Sequence, residues 1–155
     1  MLRKTAPLTR GAQSVDKVDA LQRLKKPARR GSKIAKKVYD YLAGNPKVRK
    51  IFYPGSASYE QPELFAKYMS GMNGLMSFEP IGTREQILAF TRSLHYFQNG
   101  VSWGGFESLC ILLGASEEAR SFGQPENLVR IHVGLENPDT LIADLEQAFA
   151  HIPME

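Results

Sequence analysis

One arginine stands inside an otherwise apolar run, Leu128-Val129-Arg130-Ile131-His132-Val133-Gly134-Leu135-Glu136. Upstream lies a glycine-paired segment, Ser102-Trp103-Gly104-Gly105-Phe106-Glu107-Ser108-Leu109. A guanidinium drawn partly out of water needs an anion, because an unpaired charge in that setting costs several kcal/mol. Its planar fork matches a carboxylate with two parallel hydrogen bonds. Two successive glycines allow a tight backbone path and close approach of a ligand. A main-chain amide there, with the Ser102 hydroxyl, could donate to a carboxylate or phosphate oxygen. Binding of a small anion is the chemistry these residue types would serve. Each also has a plainer reading: a solvated or ion-paired arginine, and an ordinary Gly-Gly turn.

Strand alternation decides which way Arg130 points. Val129, Ile131 and Val133 share one face of the strand, and Leu128, Arg130 and His132 share the other. If the branched residues meet helices, Arg130 projects from the opposite side of the sheet.

The rest of the chain supplies elements for such a sheet. Val15, Val18, Leu21 and Leu24 repeat at helical spacing behind Ser14, until Pro27 interrupts. From Ser32 the spacing resumes through Ile34, Val38, Tyr41 and Leu42, and Gly44-Asn45-Pro46 ends it. Strands are expected over Val48–Tyr53, Gly74–Glu79, Leu94–Val101, Leu109–Leu113 (fully buried) and Leu128–Val133. Helices are expected over Gln61–Ser70, with one apolar face, and from Thr83, whose capping box uses Gln86. A single turn follows Ser116, and the last helix is capped by Asn137 with Pro138 in its first position. Short connections and one-sided strands predict an α/β (α+β) sandwich: a small, mainly antiparallel sheet with helices on one face. The expected organisation is a basic arm over residues 1–31 and one domain over 32–155.

Composition narrows the function classes. At 155 residues the chain can bury a real core. No apolar run approaches the roughly 20 residues that span a bilayer. The single Cys110 excludes an internal disulfide and a cysteine-built metal site, and reads as a small core residue in a reducing, cytoplasmic setting. His95, His132 and His151 stand far apart, without ligands at metal spacing. The net charge of +4 divides unevenly: residues 1–37 carry 12 Lys/Arg against Asp16 and Asp19, and the remainder is acidic. Such a basic head could track phosphates, but it has no aromatic residue before Tyr39 on which bases could stack, so nucleic acid is a poor fit.

Several segments in combination resemble the carboxyl-terminal domain of the PLP-dependent enzymes of cysteine and methionine metabolism. They are Val48-Arg49-Lys50-Ile51-Phe52-Tyr53-Pro54-Gly55, Met69-Ser70-Gly71-Met72-Asn73-Gly74-Leu75-Met76-Ser77-Phe78-Glu79, the two segments above, and Asn137–Phe149. The resemblance covers roughly Ser32 to His151 and fades upstream. The Ser-Trp-Gly-Gly wording is most similar to the cystathionine β-lyase branch. Many relatives carry leucine at the position of Trp103, and the γ-synthase and γ-lyase branches are the alternatives.

The resemblance implies the fold of the small domain of fold-type I PLP enzymes. It implies a carbon–sulfur lyase of transsulfuration and methionine biosynthesis, acting on an amino-acid thioether such as cystathionine. The family holds the substrate carboxylate with an arginine in an Arg-x-x-x-Gly-hydrophobic-Glu setting, which Arg130 matches. Ser102 and Trp103 match residues beside that carboxylate. The cofactor PLP would be held elsewhere, because the family's lysine lies in a Ser-x-Thr-Lys context that no lysine here occupies. The chain alone is therefore expected to hold no PLP and to be inactive. It would be a truncated or split gene product or a stand-alone fragment, able to pair with a separate amino-terminal PLP domain. A non-catalytic module that self-associates is the other reading.

Overall fold

The structure, a computed structural model, describes residues 30–114 and 116–153. The helix expected over Val15–Leu24, and all but the last two residues of the 1–31 arm, lie outside the described residues. Helix α1 occupies residues 30–43. It buries Ile34, Ala35, Val38 and Leu42, a stripe at helical spacing. Its end is closed by Gly44 N–H donating to the Asp40 carbonyl and by the Asn45 side chain accepting from Lys47 N.

The remaining elements follow in chain order: β1 (Val48–Phe52), α2 (Pro62–Tyr68), β2 (Leu75–Pro80), α3 (Arg84–Ser93), β3 (Gln98–Asn99), β4 (Leu109–Leu113), α4 (Glu117–Ser121), β5 (Leu128–His132) and α5 (Pro138–Phe149). The five strands form one sheet in the order β1-β2-β5-β4-β3. Only β3 and β4 run parallel; the other three pairs are antiparallel. The mainly antiparallel α/β architecture read from the pattern is the one observed.

One core joins the sheet to α1, α3 and α5. Met76, Phe78, Val129, Ile131, Val133 and Cys110 face the helices, and Phe78, Phe90 and Phe149 form a three-ring cluster with centroids 4.7–6.3 Å apart. Aromatic pairs at such distances add to the burial of their area. The caps stand as the motifs predict. Thr83 Oγ1 accepts from Gln86 N at 3.3 Å while Gln86 Oε1 accepts from Thr83 N at 2.8 Å. Asn137 Oδ1 accepts from Asp139 N at 2.8 Å.

Two expectations need correction. Leu94–Val101 is not a strand apart from the two residues of β3. The reason lies on α5, where the buried carboxylate of Asp144 accepts from the backbone N–H groups of His95 (2.9 Å), Tyr96 (2.8 Å) and Phe97 (3.3 Å). Amides turned inward to one carboxylate cannot bond a neighbouring strand. Strand β4 is not fully buried: Ile111, Leu112 and Leu113 are half-exposed. Among the described residues, the core helices α1, α3 and α5 lie on one side of the sheet. Helix α2 stands within the expected Gln61–Ser70; it contains no buried residue, and its Leu64 and Tyr68 are exposed, so its apolar face does not serve the core.

Candidate site on the uncovered face of the sheet

Register places Arg130 in the middle of the face without helices. Ser77 of β2 and Ile111 of β4 stand opposite it, and Phe52 of β1 pairs with Ser77. The row Phe52–Ser77–Arg130–Ile111 therefore crosses four strands with one cation in it. Arg130 is half-buried. Its Nη2 donates to the Val101 carbonyl at 2.6 Å, and Ser102 is the next residue. The guanidinium and the glycine segment, remote in sequence, thus lie side by side.

Residue 132, two places along the same face, makes the second connection. His132 is buried, and its Nε2 lies 3.1 Å from Gly104 N and 3.2 Å from the Gly105 carbonyl. The loop is closed further on by Glu136. Its carboxylate accepts from Ser108 N and Ser108 Oγ, both at 2.8 Å, and Ser108 Oγ accepts from Gly134 N at 2.9 Å. Leu135 N donates to the Phe106 carbonyl at 2.8 Å. Residues 101–108 are thereby laced to residues 130–136 along their length.

Two glycines make this lacing sterically feasible. Gly104 has a φ of +83°, in the left-handed region that side chains rarely adopt. A Cβ on Gly134 would collide with the Phe106 carbonyl oxygen.

Ser102 is exposed, and Trp103 is 64% exposed. Trp103 lines a cavity of about 800 Å³ with Met72, Leu75, Phe106, His132 and Leu135. Arg130 and Ser102 are not among its walls, so the anion position and the apolar cavity are neighbours rather than one space, with His132 between them. Cys110 is buried on the helix side. Burial, helped by the negative charge of Asp144, pushes its thiol up to about 12, which leaves almost no thiolate at neutral pH.

Residues 18–150 match the family described as Cys/Met metabolism PLP-dependent enzyme. The chain belongs to this family. The match reaches upstream of Ser32, where the individual motifs fade. Cystathionine β-lyase of Haemophilus influenzae is 38% identical over 125 residues, covering 75% of this chain and 31% of the lyase. Cystathionine γ-lyase of Rattus norvegicus is 35% identical over 133 residues, 81% of this chain and 32% of that enzyme. Among solved structures, cystathionine γ-synthase from Xanthomonas oryzae pv. oryzae in complex with cystathionine superposes with a TM-score of 0.76 at 29% identity, over 82% of this chain and 35% of the synthase. The chain spans about a third of the length of these relatives.

A PLP enzyme holds its cofactor on a sheltered lysine. The described lysines do not fit that role. Lys36 and Lys50 pair with Asp40 and Glu60, Lys47 donates to the Phe149 carbonyl, Lys67 lies over the Tyr68 ring, and Lys33 and Lys37 are exposed. None of the six is buried.

His132, Ser108 and Glu136 were not among the residues read from sequence as site residues. The signal for His132 was present in the alternation that put it on the face of Arg130. Ser108 and Glu136 meet only through the fold.

Proposed function

We propose that this chain supplies the substrate-carboxylate side of a PLP-dependent carbon–sulfur lyase of cysteine and methionine metabolism. PLP would be held on a different stretch of polypeptide, in the same protein or a partner. Arg130 would clamp the α-carboxylate, with the Ser102 hydroxyl and the Trp103 main chain beside it. Residues 32–155 would be the small domain of such an enzyme and residues 1–31 an arm attached to it.

The observation that carries this reading is the position of Arg130. Its fork lies on the face that no helix of the described residues covers, 2.6 Å from the carbonyl that precedes Ser102. One N–H is used there, and the guanidinium has further donors for an anion. Fixing a carboxylate fixes which Cα bond meets the reacting group, and orientation of this kind lowers barriers by several kcal/mol. Similarity to cystathionine lyases and to a synthase with bound cystathionine supports a cystathionine-type thioether as substrate. Trp103 favours the β-lyase branch over the γ-lyase and γ-synthase branches.

The test is a chimera in which residues 30–153 replace the matching part of the Haemophilus influenzae lyase. It should cleave cystathionine and release homocysteine, the product of β-cleavage. Arg130→Ala should lower kcat/KM by about 10²–10³-fold, the cost of truncating a hydrogen-bonded charge pair. Unchanged kcat/KM in Arg130→Ala would overturn the clamp, and release of cysteine instead would move the chain to the γ-lyase branch. The full chain alone, incubated with PLP and reduced with borohydride, should gain no stoichiometric lysine adduct.

A further inference from the structure

Between Val101 and Gly104 lie only two residues, Ser102 and Trp103. The segment is held at both of its ends from one strand. Arg130 binds the carbonyl of Val101, and His132, next but one along the same face of β5, binds the amide of Gly104. Ser102 and Trp103 themselves are exposed, and no side chain anchors them among the contacts described. Their position is thus set by the two anchors.

The anchors are not equivalent. Arg130 is held on the loop by one donor of a guanidinium whose other role is to meet an anion. His132 is buried, lines the apolar cavity and lies against two main-chain groups of the loop. With the proton on Nε2 it donates to the Gly105 carbonyl at 3.2 Å while Nδ1, 3.4 Å from Gly104 N, accepts there; with the proton on Nδ1 it is Nε2 that accepts from Gly104 N at 3.1 Å. Among the described residues its polar neighbours are main-chain groups of the loop.

We propose that His132 is a positioning residue for the carboxylate site. It holds the Ser102–Trp103 strap in place when the Arg130 fork turns to a substrate carboxylate. This deepens the clamp proposed above and rests on it. Without His132 the nearest hold on Ser102 and Trp103 would be Arg130 on one side and the Phe106 and Ser108 contacts on the other, and an anion drawing the guanidinium away would loosen residues 101–105. The side chain acts through the loop and touches no substrate atom, so it is not a catalytic residue. The proposal also gives Trp103 a use as a reporter, since it is the chain's single tryptophan and sits within the strap.

The experiment uses the full chain and two readouts at the loop. Trp103 fluorescence quenching by acrylamide is measured with and without millimolar L-cystathionine, and amide exchange of Gly104 by NMR. His132→Ala should raise the Gly104 exchange rate about tenfold, the effect of losing one hydrogen bond of ordinary strength. Its Trp103 quenching should rise on addition of L-cystathionine, whereas the parent chain's should not. His132→Gln, whose amide can both donate and accept, should restore both readouts. If His132→Ala is poorly folded by circular dichroism, His132→Gln and His132→Phe decide the matter: Gln must behave as the parent and Phe must free the loop. Parent-like exchange and quenching in His132→Ala, or in His132→Phe where Ala is poorly folded, would overturn the positioning role. So would failure of Gln to restore them. An Arg130→Ala chimera with normal kcat/KM would sink the clamp instead, so the two failures are distinguishable.

Discussion

Val129 and Arg130 are adjacent, yet they belong to two differently built halves of the molecule. On the covered side of β5, Val129, Ile131 and Val133 are sealed under α1, α3 and α5 beside Phe78 and Phe149. On the other side, outside the core formed by the described helices, Arg130 and His132 hold a loop by polar contacts. The covered side is secured by apolar area and close packing, which no single hydrogen bond dominates. The open side is secured by a few directed bonds whose partners are main-chain atoms. A strand with period two can serve both ends because a change on one face leaves the other untouched.

The comparison can be broken most sharply at Phe78. Its ring is fully buried within the aromatic cluster, and Phe78→Ala should cost about 3–5 kcal/mol of stability by urea denaturation, from lost transfer energy and an unfilled cavity. A cost below that of an exposed position would mean the core relaxes far more than its packing implies.

Next in size is Asp144. Replacing it with Ala would orphan the backbone N–H groups of residues 95–97 and should cost about 2–3 kcal/mol, since bonds to a charged acceptor are the stronger kind. The same variant should loosen β3, seen as faster amide exchange at Gln98 and Gly100.

Alkaline titration tests the covered side by another route. Burial holds the Tyr53 phenol, which donates to the Asn73 carbonyl, up to about 12, against an ordinary value of 10.0. The neutral form is the one the fold prefers. Its contribution is therefore complete below pH 10 and is lost as the pH rises from there through about 12. Tyr53→Phe should flatten the decline in thermal midpoint across that window. Cys110 should likewise resist a thiol reagent at pH 8 in the folded chain and react once urea unfolds it.

The smallest stability change is expected on the open side. Arg130→Ala should move the unfolding free energy by no more than about 0.5 kcal/mol, as surface changes do, while the chimera carrying it loses about 10²–10³-fold in kcat/KM. A large loss of stability there would show Arg130 to be a structural residue of the sheet.

Most of the fold was legible in the residue pattern because local chemistry determined it. The Thr83–Gln86 box, the Asn137-Pro138 start and the Gly44-Asn45-Pro46 stop each act within a few residues, and they stand where expected. Leu94–Val101 misled because its apolar and aromatic residues suit a strand, whereas a carboxylate some fifty positions away collects its amides. Helix α2 formed as its periodicity implied, yet its apolar face lies outside the core, since periodicity marks a surface that can be buried without saying that it is.

The same division runs through the site. Sequence by itself determined that Arg130 and His132 share a face opposite Val129 and Ile131, because alternation is a property of the extended backbone. It also determined that the glycine segment could adopt a tight path. Only the tertiary structure decided that this path lies across Arg130 and His132 and that Glu136 closes it through Ser108. Those facts depend on contacts between residues about thirty positions apart (26–29 in the hydrogen bonds concerned), and no local rule of spacing reaches that far.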